Sequence, residues 1–596
     1  MHERTLTNET LYNSFILGAQ SVIREKNNLN AINVFPVADG DTGTNLASMM
    51  SSIIENSRLG ETIEDTMQSI ADAAITGARG NSGLIFAEYI NGFAVRVRTD
   101  RLSIEDFIKL AIEAANNAYK AIAKPVEGTI ITLMRAWASA LERLHKAASS
   151  IADLLTKAYE FALVELAKTT DKLAVLKQNK VVDAGAKGFI HFVDGFARAL
   201  KGEKVEIQMV DEQVELPRIE HLDESETRYC TEALIKSDSI DTATIRKDLE
   251  RFGDSLVITG NKRTLRVHVH TNHPDRVYSY LSQHGHLAEQ KVDDMHRQMD
   301  IVNNRKYRIA LVTDSIADLP QSLVDEYQVN MYPLNLLIND SNYYDKLTIQ
   351  SARFYEMMDS LKTYPTSSQP NPKDLENFFS FLTSYYDRIV VLTVSSRMSG
   401  TYQSFMTAAK SFPNHDIRIV DSKQNSGAEG LLVLEAAKLI SQDKSIDEVV
   451  AAIEAMRERA KILVSVQTLK YMVRSGRVKK VTGLIGKILN LKPVISIDSE
   501  GNGIIFDKSL SIRKSNRIIE DHVRSIQELH GIESYAIVHA NAKDRADAYR
   551  KKYTEIIGKE PAYVMDISTI VAMSAGIGTV AIAYIRKDDR DGNIPN

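Results

Sequence analysis

Only one cysteine, Cys230, occurs in 596 residues, so no intrachain disulfide can form and a reducing compartment is expected. No uninterrupted apolar run approaches the roughly 20 residues that a membrane-crossing helix needs. The opening stretch, MHERTLTNETLYNSFILGAQ, carries acidic and polar residues where a secretory leader needs an apolar core, and a cytoplasmic location is expected. Basic charge is not in excess either: 73 Lys and Arg face 78 Asp and Glu, for a net charge of −5, which argues against nucleic acid as a partner. Internal repeats, low-complexity tracts and coiled-coil heptads are missing too. What remains is an ordinary globular composition on a chain too long for one hydrophobic core, so three or four domains are expected.

From Glu9 to about Leu200 apolar residues recur at three and four, as in IEDTMQSIADAAI and FIKLAIEAANNAYKAI, which predicts a helical domain over 1–201. Residues 202–227 are acidic, lose the helical period and read as a linker. Over 228–300, RYCTEALI, DSLVITG and TLRVHVHTN read as strands, with TATIRKDLERFG and PDRVYSYLSQHG as helices. That order predicts a small ferredoxin-like α/β middle domain. KVDDMHRQMDIVNNRK reads as a charged junction. Beyond it, over 307–590, short β-branched runs such as RIALVTDS, RIVVLTVSS and TVAIAYI alternate with helical segments. This predicts an α/β domain of two lobes with a mainly parallel sheet.

Three polar, glycine-containing segments punctuate the helical region: NVFPVADGDTGTN, GARGNSG and VVDAGAKG. Asp39-Gly40-Asp41 sets two carboxylates on a glycine-kinked loop where both can turn toward one point, and hard cations prefer carboxylate and phosphate oxygens. On the dipeptide alone, Asp41 serves equally well as the cap of the next helix. Together with VEGTIITL, these motifs closely resemble the nucleotide-binding domain of the dihydroxyacetone-kinase L-subunit family, in particular its fatty-acid-kinase branch, over residues 9 to 200. The resemblance implies a barrel of helices that holds ATP through two magnesium ions. Asp39 and Asp41 would ligate magnesium, while Thr44, Asn45, Asn81, Ser82 and Gly83 would contact the phosphates. Thr129 and Asp183 would lie at the base and sugar side. Simpler members carry a third aspartate where this chain has Val34, and Asn33 is its neutral substitute. Arg79 would stabilise charge on the transferring group.

His268 and His270 alternate on a predicted strand, so both imidazoles project from one face, and Cys230 lies on another strand of the same domain. The spacing by itself leaves a packed His-His-Cys face open as an alternative to a zinc site. YCTEALI, GDSLVITG and VHVHTN resemble the middle domain of fatty-acid-kinase catalytic subunits, which implies zinc on Cys230, His268 and His270. His273, His284 and His286 lie near helix ends, where solvation is expected.

In the last region, the hydroxyls of Ser367, Ser368, Ser399 and Thr401 fall on loops at strand ends and helix starts, where backbone N–H groups favour an anion. Each hydroxyl taken alone also reads as a helix cap. IADLP, PTSSQP, SSRMSGTYQS, VRSGRV and LNLKP resemble the DegV family of fatty-acid-binding proteins from Arg308 to near Ile585. The resemblance implies a carboxylate held by those hydroxyls with Arg477 nearby. The family's closing histidine is replaced here by Ser574.

A kinase that phosphorylates a long-chain fatty-acid carboxylate to acyl phosphate is therefore expected, with both modules on one chain. A lipid-binding regulator with a silent kinase site and a small-metabolite kinase of the dihydroxyacetone type are the alternatives. A homodimer and transient contact with membrane or with enzymes that use acyl phosphate are the further expectations.

Overall fold

The structure, a computed structural model, describes residues 5–35, 40–97, 101–203, 226–339, 341–476 and 491–588. Asp39, Arg477 and most of the expected linker lie outside the described residues. The chain divides into two compact units, Met1–Asn303 and Asn304–Asn596. Among the described residues, no helix is long and apolar enough to cross a membrane.

The first unit opens with helices α1 (Asn8–Arg24), α2 (Lys26–Ala31), α3 (Thr42–Asn56), α4 (Ile63–Gly77), α5 (Gly80–Ala94), α6 (Ile104–Lys120), α7 (Ile130–Leu144), α8 (Ile151–Lys172), α9 (Ala174–Asn179) and α10 (Ala184–Leu200). Two-residue strands, β1 (Thr5–Leu6) and β2 (Leu102–Ser103), pair antiparallel beside them. Polar caps set the helix starts: Thr62 and Asp65 form a capping box on α4, and Ser103, Ser150 and Asp183 accept backbone N–H groups at the starts of α6, α8 and α10. The helices close on an aromatic centre in which Phe86 and Trp137 meet Phe189 edge-on, with ring centroids 5.4 and 5.7 Å away.

The middle segment folds as β3 (Tyr229–Lys236), α11 (Thr242–Leu249), β4 (Asp254–Gly260), β5 (Thr264–Thr271), α12 (Pro274–Leu281), β6 (His286–Asp294) and α13 (Met295–Asn303). Its sheet is antiparallel throughout, in the order β4-β5-β3-β6. The segment expected to be a charged junction is in fact strand β6 followed by α13. Its polar side chains hid the strand because they face a polar interior instead of an apolar core. Register places Glu232 opposite both His268 and Lys291, and Cys230 opposite both His270 and Asp293. Directly opposed residues share a face, so these six side chains form two cross-strand rows. That face turns toward the helices: Val257 of β4 joins the helical core, and Arg266 donates to the Thr76 carbonyl at 2.6 Å.

Among its described residues the second unit holds three sheets. β7 (Ile309–Asp314), β8 (Asn330–Tyr332), β12 (Arg388–Thr393) and β13 (Asp416–Asp421) form a parallel sheet in the order β13-β12-β7-β8. β9 (Asn335–Ile338), β10 (Ser341–Tyr344) and β11 (Thr366–Ser368) form a small antiparallel one. β14 (Ala460–Ser465), β15 (Val494–Ile497), β16 (Gly503–Asp507), β17 (Ile532–His539), β18 (Val564–Asp566) and β19 (Val580–Arg586) form the third, in the order β16-β15-β14-β19-β17-β18. The runs RIALVTDS, RIVVLTVSS, DIRIVDS, AKILVSV, SYAIVHA and TVAIAYI all become strands. The expected parallel arrangement holds in the first sheet, whereas in the third only β17 and β18 run parallel. The last strand, β19, inserts antiparallel between β14 and β17. Strand runs buried on both faces read alike in either direction, so the pattern could not reveal this.

Candidate functional site

A cavity in the first unit is lined by Asn33, Asp41, Thr42, Asn45, Gly80, Asn81 and Ser82 from the helices and by Cys230, Glu232, His268, His270, Lys291 and Asp293 from the sheet face, with Met295 and Gln298 at its edge. Asp41 precedes α3, yet its side chain does not cap that helix. Its Oδ1 instead accepts from Asn45 Nδ2 at 2.7 Å, and its Oδ2 lies 3.2 Å from Lys291 Nζ. Asn33 Oδ1 accepts from Thr42 Oγ1 at 2.8 Å. The start of α5 presents Gly80, Asn81 and Ser82. Gly80 has a φ of +61°, and a Cβ there would meet Asn45 Nδ2 at 2.5 Å, so only glycine fits without displacement. Asn81 Oδ1 is buried without a hydrogen-bond partner. A helix start carries unsatisfied N–H groups and partial positive charge, which together seat an anion.

The sheet face supplies the opposite wall. Cys230 Sγ, His268 and His270 can each offer one ligand atom, all within 4.8 Å of one another. A thiolate and two imidazoles at this spacing suit tetrahedral zinc, in which neighbouring ligand atoms stand roughly 3.5 Å apart. His268 Nδ1 lies 3.1 Å from Glu232 Oε1, and the same oxygen accepts the Gly80 N–H at 2.6 Å. One carboxylate therefore joins the histidine row to the turn that opens α5. Burial would raise the Glu232 pKa, but the hydrogen bond with His268 and the nearby Lys291 charge hold it down to about 2. Lys291 also reaches Asp293 Oδ2 at 2.9 Å. Burial would lower its pKa, yet Asp293, Asp41 and Glu232 hold it well above the ordinary lysine value.

The remaining expected residues of this unit lie off the cavity lining. Thr44 turns away: its hydroxyl accepts from Asn30 Nδ2 at 2.9 Å. Gly83 packs one residue beyond the lining. Arg79 is exposed just before α5. Thr129 donates its hydroxyl to the Val126 carbonyl at 2.8 Å. Asp183 caps α10 through the Ala186 N–H at 2.7 Å, and burial pushes its pKa up to about 7. Val34 packs with Val175 and Leu176. Sequence reasoning missed Glu232, Lys291 and Asp293. The alternation of Glu289, Lys291 and Asp293 was the available signal, but without apolar partners it did not mark a strand. His273 and His286 are exposed, while His284 stacks on Tyr280 with centroids 4.6 Å apart.

The second unit holds an apolar cavity walled by Met398, Ile462, Val464, Ile495, Val538 and Val571 among others. Ser574 lines it, together with Asn425, Ser426 and His539. His539 was not foreseen. Its Nδ1 accepts the Ala542 N–H at 3.3 Å, which assigns the ring proton to Nε2. Burial lowers its pKa, with Asp566 at 3.8 Å opposing. Ser426 Oγ donates to the buried Asp318 Oδ2 at 2.5 Å, and Lys346 pairs with the other Asp318 oxygen at 3.4 Å. Ser399 and Thr401 bond each other at 2.8 Å. Ser367 and Ser368 lie on β11. A Cβ on Gly400 would overlap Gln369 Oε1, so the two hydroxyl-bearing loops touch there. None of these four hydroxyls lines the cavity, although Met398, the neighbour of Ser399, does.

Three family models match successive stretches of the chain: the DAK2 domain over 36–198, the FakA-like middle domain of fatty acid kinase over 226–302, and "Uncharacterised protein, DegV family" over 308–587. One polypeptide thus joins a DAK2 domain, a fatty-acid-kinase-type middle domain and a DegV domain, the fusion that the motifs implied. Among curated relatives, an uncharacterised protein of Staphylococcus epidermidis is 34% identical over 299 residues, 48% of this chain and 54% of its own. Protein YloV of Bacillus subtilis is 33% identical over 315 residues, 50% of this chain and 57% of its own. The chain spans about half the length of the curated relatives it matches. Among solved structures, a fatty-acid-binding DegV family protein of Thermus thermophilus is 28% identical, covering 47% of this chain and 99% of its own, at a TM-score of 0.44. The fatty-acid-binding protein DegV of Bacillus subtilis is 26% identical, covering 47% of this chain and all of its own, also at 0.44.

Proposed function

We propose that this protein is an ATP-dependent kinase whose acceptor is the carboxylate of a fatty acid, with acyl phosphate as product. The observation that carries the reading is the first cavity, where Asp41 and Asn45 stand beside the start of α5. A metal-binding carboxylate next to an anion seat is what a magnesium nucleotide requires. Asp41, with Asp39 of the same motif, would hold the magnesium ions, which when bound neutralise phosphate charge. Asn45 and the Asn81-Ser82-Gly83 turn would contact the phosphates, with Asn33 as the neutral substitute for a third metal aspartate. The orphaned Asn81 oxygen is an acceptor and fits the magnesium side of such a ligand, while the glycine at position 80 lets Asn45 approach the start of α5. Cys230, His268 and His270 would hold zinc, and their donor set fits it.

The domains implied are a nucleotide domain over 1–201, a linker over 202–227, a middle domain over 228–300 and a lipid domain over 307–590. The element order and antiparallel strand order of the middle segment support a ferredoxin-like reading. The apolar cavity would take the acyl chain. Ser367, Ser368, Ser399, Thr401 and Arg477 would receive the carboxylate, with Ser574 and His539 at the cavity's polar end. Release of ADP with and without a long-chain fatty acid tests the reading, with Asp41→Ala as the control that removes the metal carboxylate. Lipid-dependent release in the parent, abolished in the variant, is expected.

One observation favours a second reading, a lipid-binding regulator with a silent kinase site: Ser574, not histidine, lines the cavity. Retained lipid without lipid-dependent ADP release would establish it.

A further inference from the structure

Phosphoryl transfer spreads negative charge over the oxygens of the transferred group, and a protein accelerates it mainly by positioning and by fixed positive charge. Arg79, the cation expected from the sequence, is exposed and outside the cavity lining. Among the described residues that line the cavity, Lys291 is the one lysine or arginine. It arrives on β6, from the middle domain. Its Nζ stands 3.2 Å from Asp41 and 2.9 Å from Asp293. The same cavity is lined by Asn81 and Ser82 at the start of the 15-residue helix α5. An anion seated there would touch a helix start on one side and an ammonium on the other.

We propose that Lys291 is a catalytic residue of the kinase, contacting the oxygens of the γ-phosphoryl group. This rests on the reading that the cavity takes magnesium ATP. The ammonium stands between two carboxylates, Asp41 and Asp293, that would otherwise repel across the site. Asp41 would hold the divalent cation, and the flexible stem of Lys291 would let its ammonium serve the phosphate beside it. Asp293 keeps a contact that limits where it can go. The chemistry balances without any further reactant: the acceptor carboxylate oxygen bonds to the γ-phosphorus, the bond from that phosphorus to the bridging oxygen breaks, and ADP leaves with the electron pair. Lys291 stays protonated and supplies charge alone. The active site is then built from both domains, and the middle domain is part of the catalytic apparatus.

Lys291→Met and Lys291→Arg in the full chain test this. The methionine variant should lose roughly 100- to 1000-fold in kcat with little change in the KM for ATP, the scale seen when one charge-stabilising donor is removed. The arginine variant, which keeps the charge, should recover part of that loss. The phosphorus NMR spectrum of bound magnesium ATP gives a second readout: the γ resonance should move between parent and Lys291→Met while the α resonance stays. A methionine variant that turns over within about twofold of the parent would overturn the proposal, as would an unmoved γ resonance. A parent that binds magnesium ATP but shows no lipid-dependent turnover would remove the lipid-kinase reading, and the γ resonance would still decide the Lys291 contact. A parent that binds no magnesium ATP would overturn both.

Discussion

Glu232 is the carboxylate whose removal should be felt in both halves of the first cavity. It is 2% exposed, and one of its oxygens accepts from the Gly80 N–H at 2.6 Å while lying 3.1 Å from His268 Nδ1. Glu232→Ala would leave a backbone N–H and an imidazole without that acceptor, and would take a counter-charge from Lys291. Each buried hydrogen-bonding group left without its partner costs about 1–3 kcal/mol. Glu232→Gln keeps an acceptor for Gly80 but loses the charge, so about 1–2 kcal/mol is expected. Trp137 is the chain's single tryptophan and lies in the core of the first unit, so its fluorescence during urea unfolding reports that unit. The alanine variant should also bind zinc about 10- to 100-fold more weakly, since a partner that orients a ligating histidine is lost. Cys230→Ala should lower zinc content by removing a ligand outright. A Trp137 transition for Glu232→Ala that overlays the parent's, with zinc content unchanged, would refute the idea that this carboxylate ties the histidine row to the α5 turn.

Two further outcomes are expected. Burial raises the Glu88 pKa from 4.5 to about 7, against hydrogen bonds from Thr259 and Asn91; the fold therefore favours the protonated acid, and this contribution is present below pH 4.5 and lost as the pH rises through 7. The Trp137 unfolding transition should weaken over that window by at most about 3 kcal/mol, and Glu88→Gln should flatten the dependence; equal pH dependence in parent and variant would dismiss the burial argument. Ser574→His places a second imidazole in the lining of the apolar cavity, which His539 shares. It should change fatty-acid retention by roughly two- to tenfold, the worth of one hydrogen bond, as read by native mass spectrometry; unchanged retention would remove position 574 from the carboxylate site.

Much of the architecture was legible because periodicity and punctuation agree. The helical stretch, the β3 to β5 segments and the β-branched strands of the second unit announce themselves by apolar spacing, and caps such as Thr62 and Ser103 mark where helices begin. The Asp41, Asn45, Asn81 and Ser82 cluster was legible from motifs alone. β6 was not, because a strand whose inward face carries Lys291 and Asp293 has no apolar alternation to betray it. The antiparallel insertion of β19 was equally hidden, since register and direction are settled by partners far away in sequence. Gly80 illustrates an intermediate case: its presence in GARGNSG was visible, but that Asn45 crowds it at φ +61° became visible only in three dimensions.

The polar face of the middle sheet itself argues for function. A sheet face that packs on a helical core is ordinarily apolar, and this one meets the helical core through Val257. Yet the adjoining rows place Glu232 at 2%, His268 at 2% and His270 at 6% exposure, with Cys230, Lys291 and Asp293 beside them. Burying such groups is costly unless each finds a partner, and an apolar face of the same shape would generally be at least as stable. A structural role alone would not account for a thiol, two imidazoles, two carboxylates and an ammonium converging on one cavity that also receives Asp41 and the start of α5. Charged and ligating groups retained at such expense belong where charge has to be bound or moved. On the proposed reading the helices would contribute the anion seat and a metal carboxylate, Asp41, and the sheet the Lys291 cation and the thiol-imidazole set. Neither wall would make a complete phosphoryl-transfer site by itself, so on that reading the helices and the middle sheet have to stay together in the first unit.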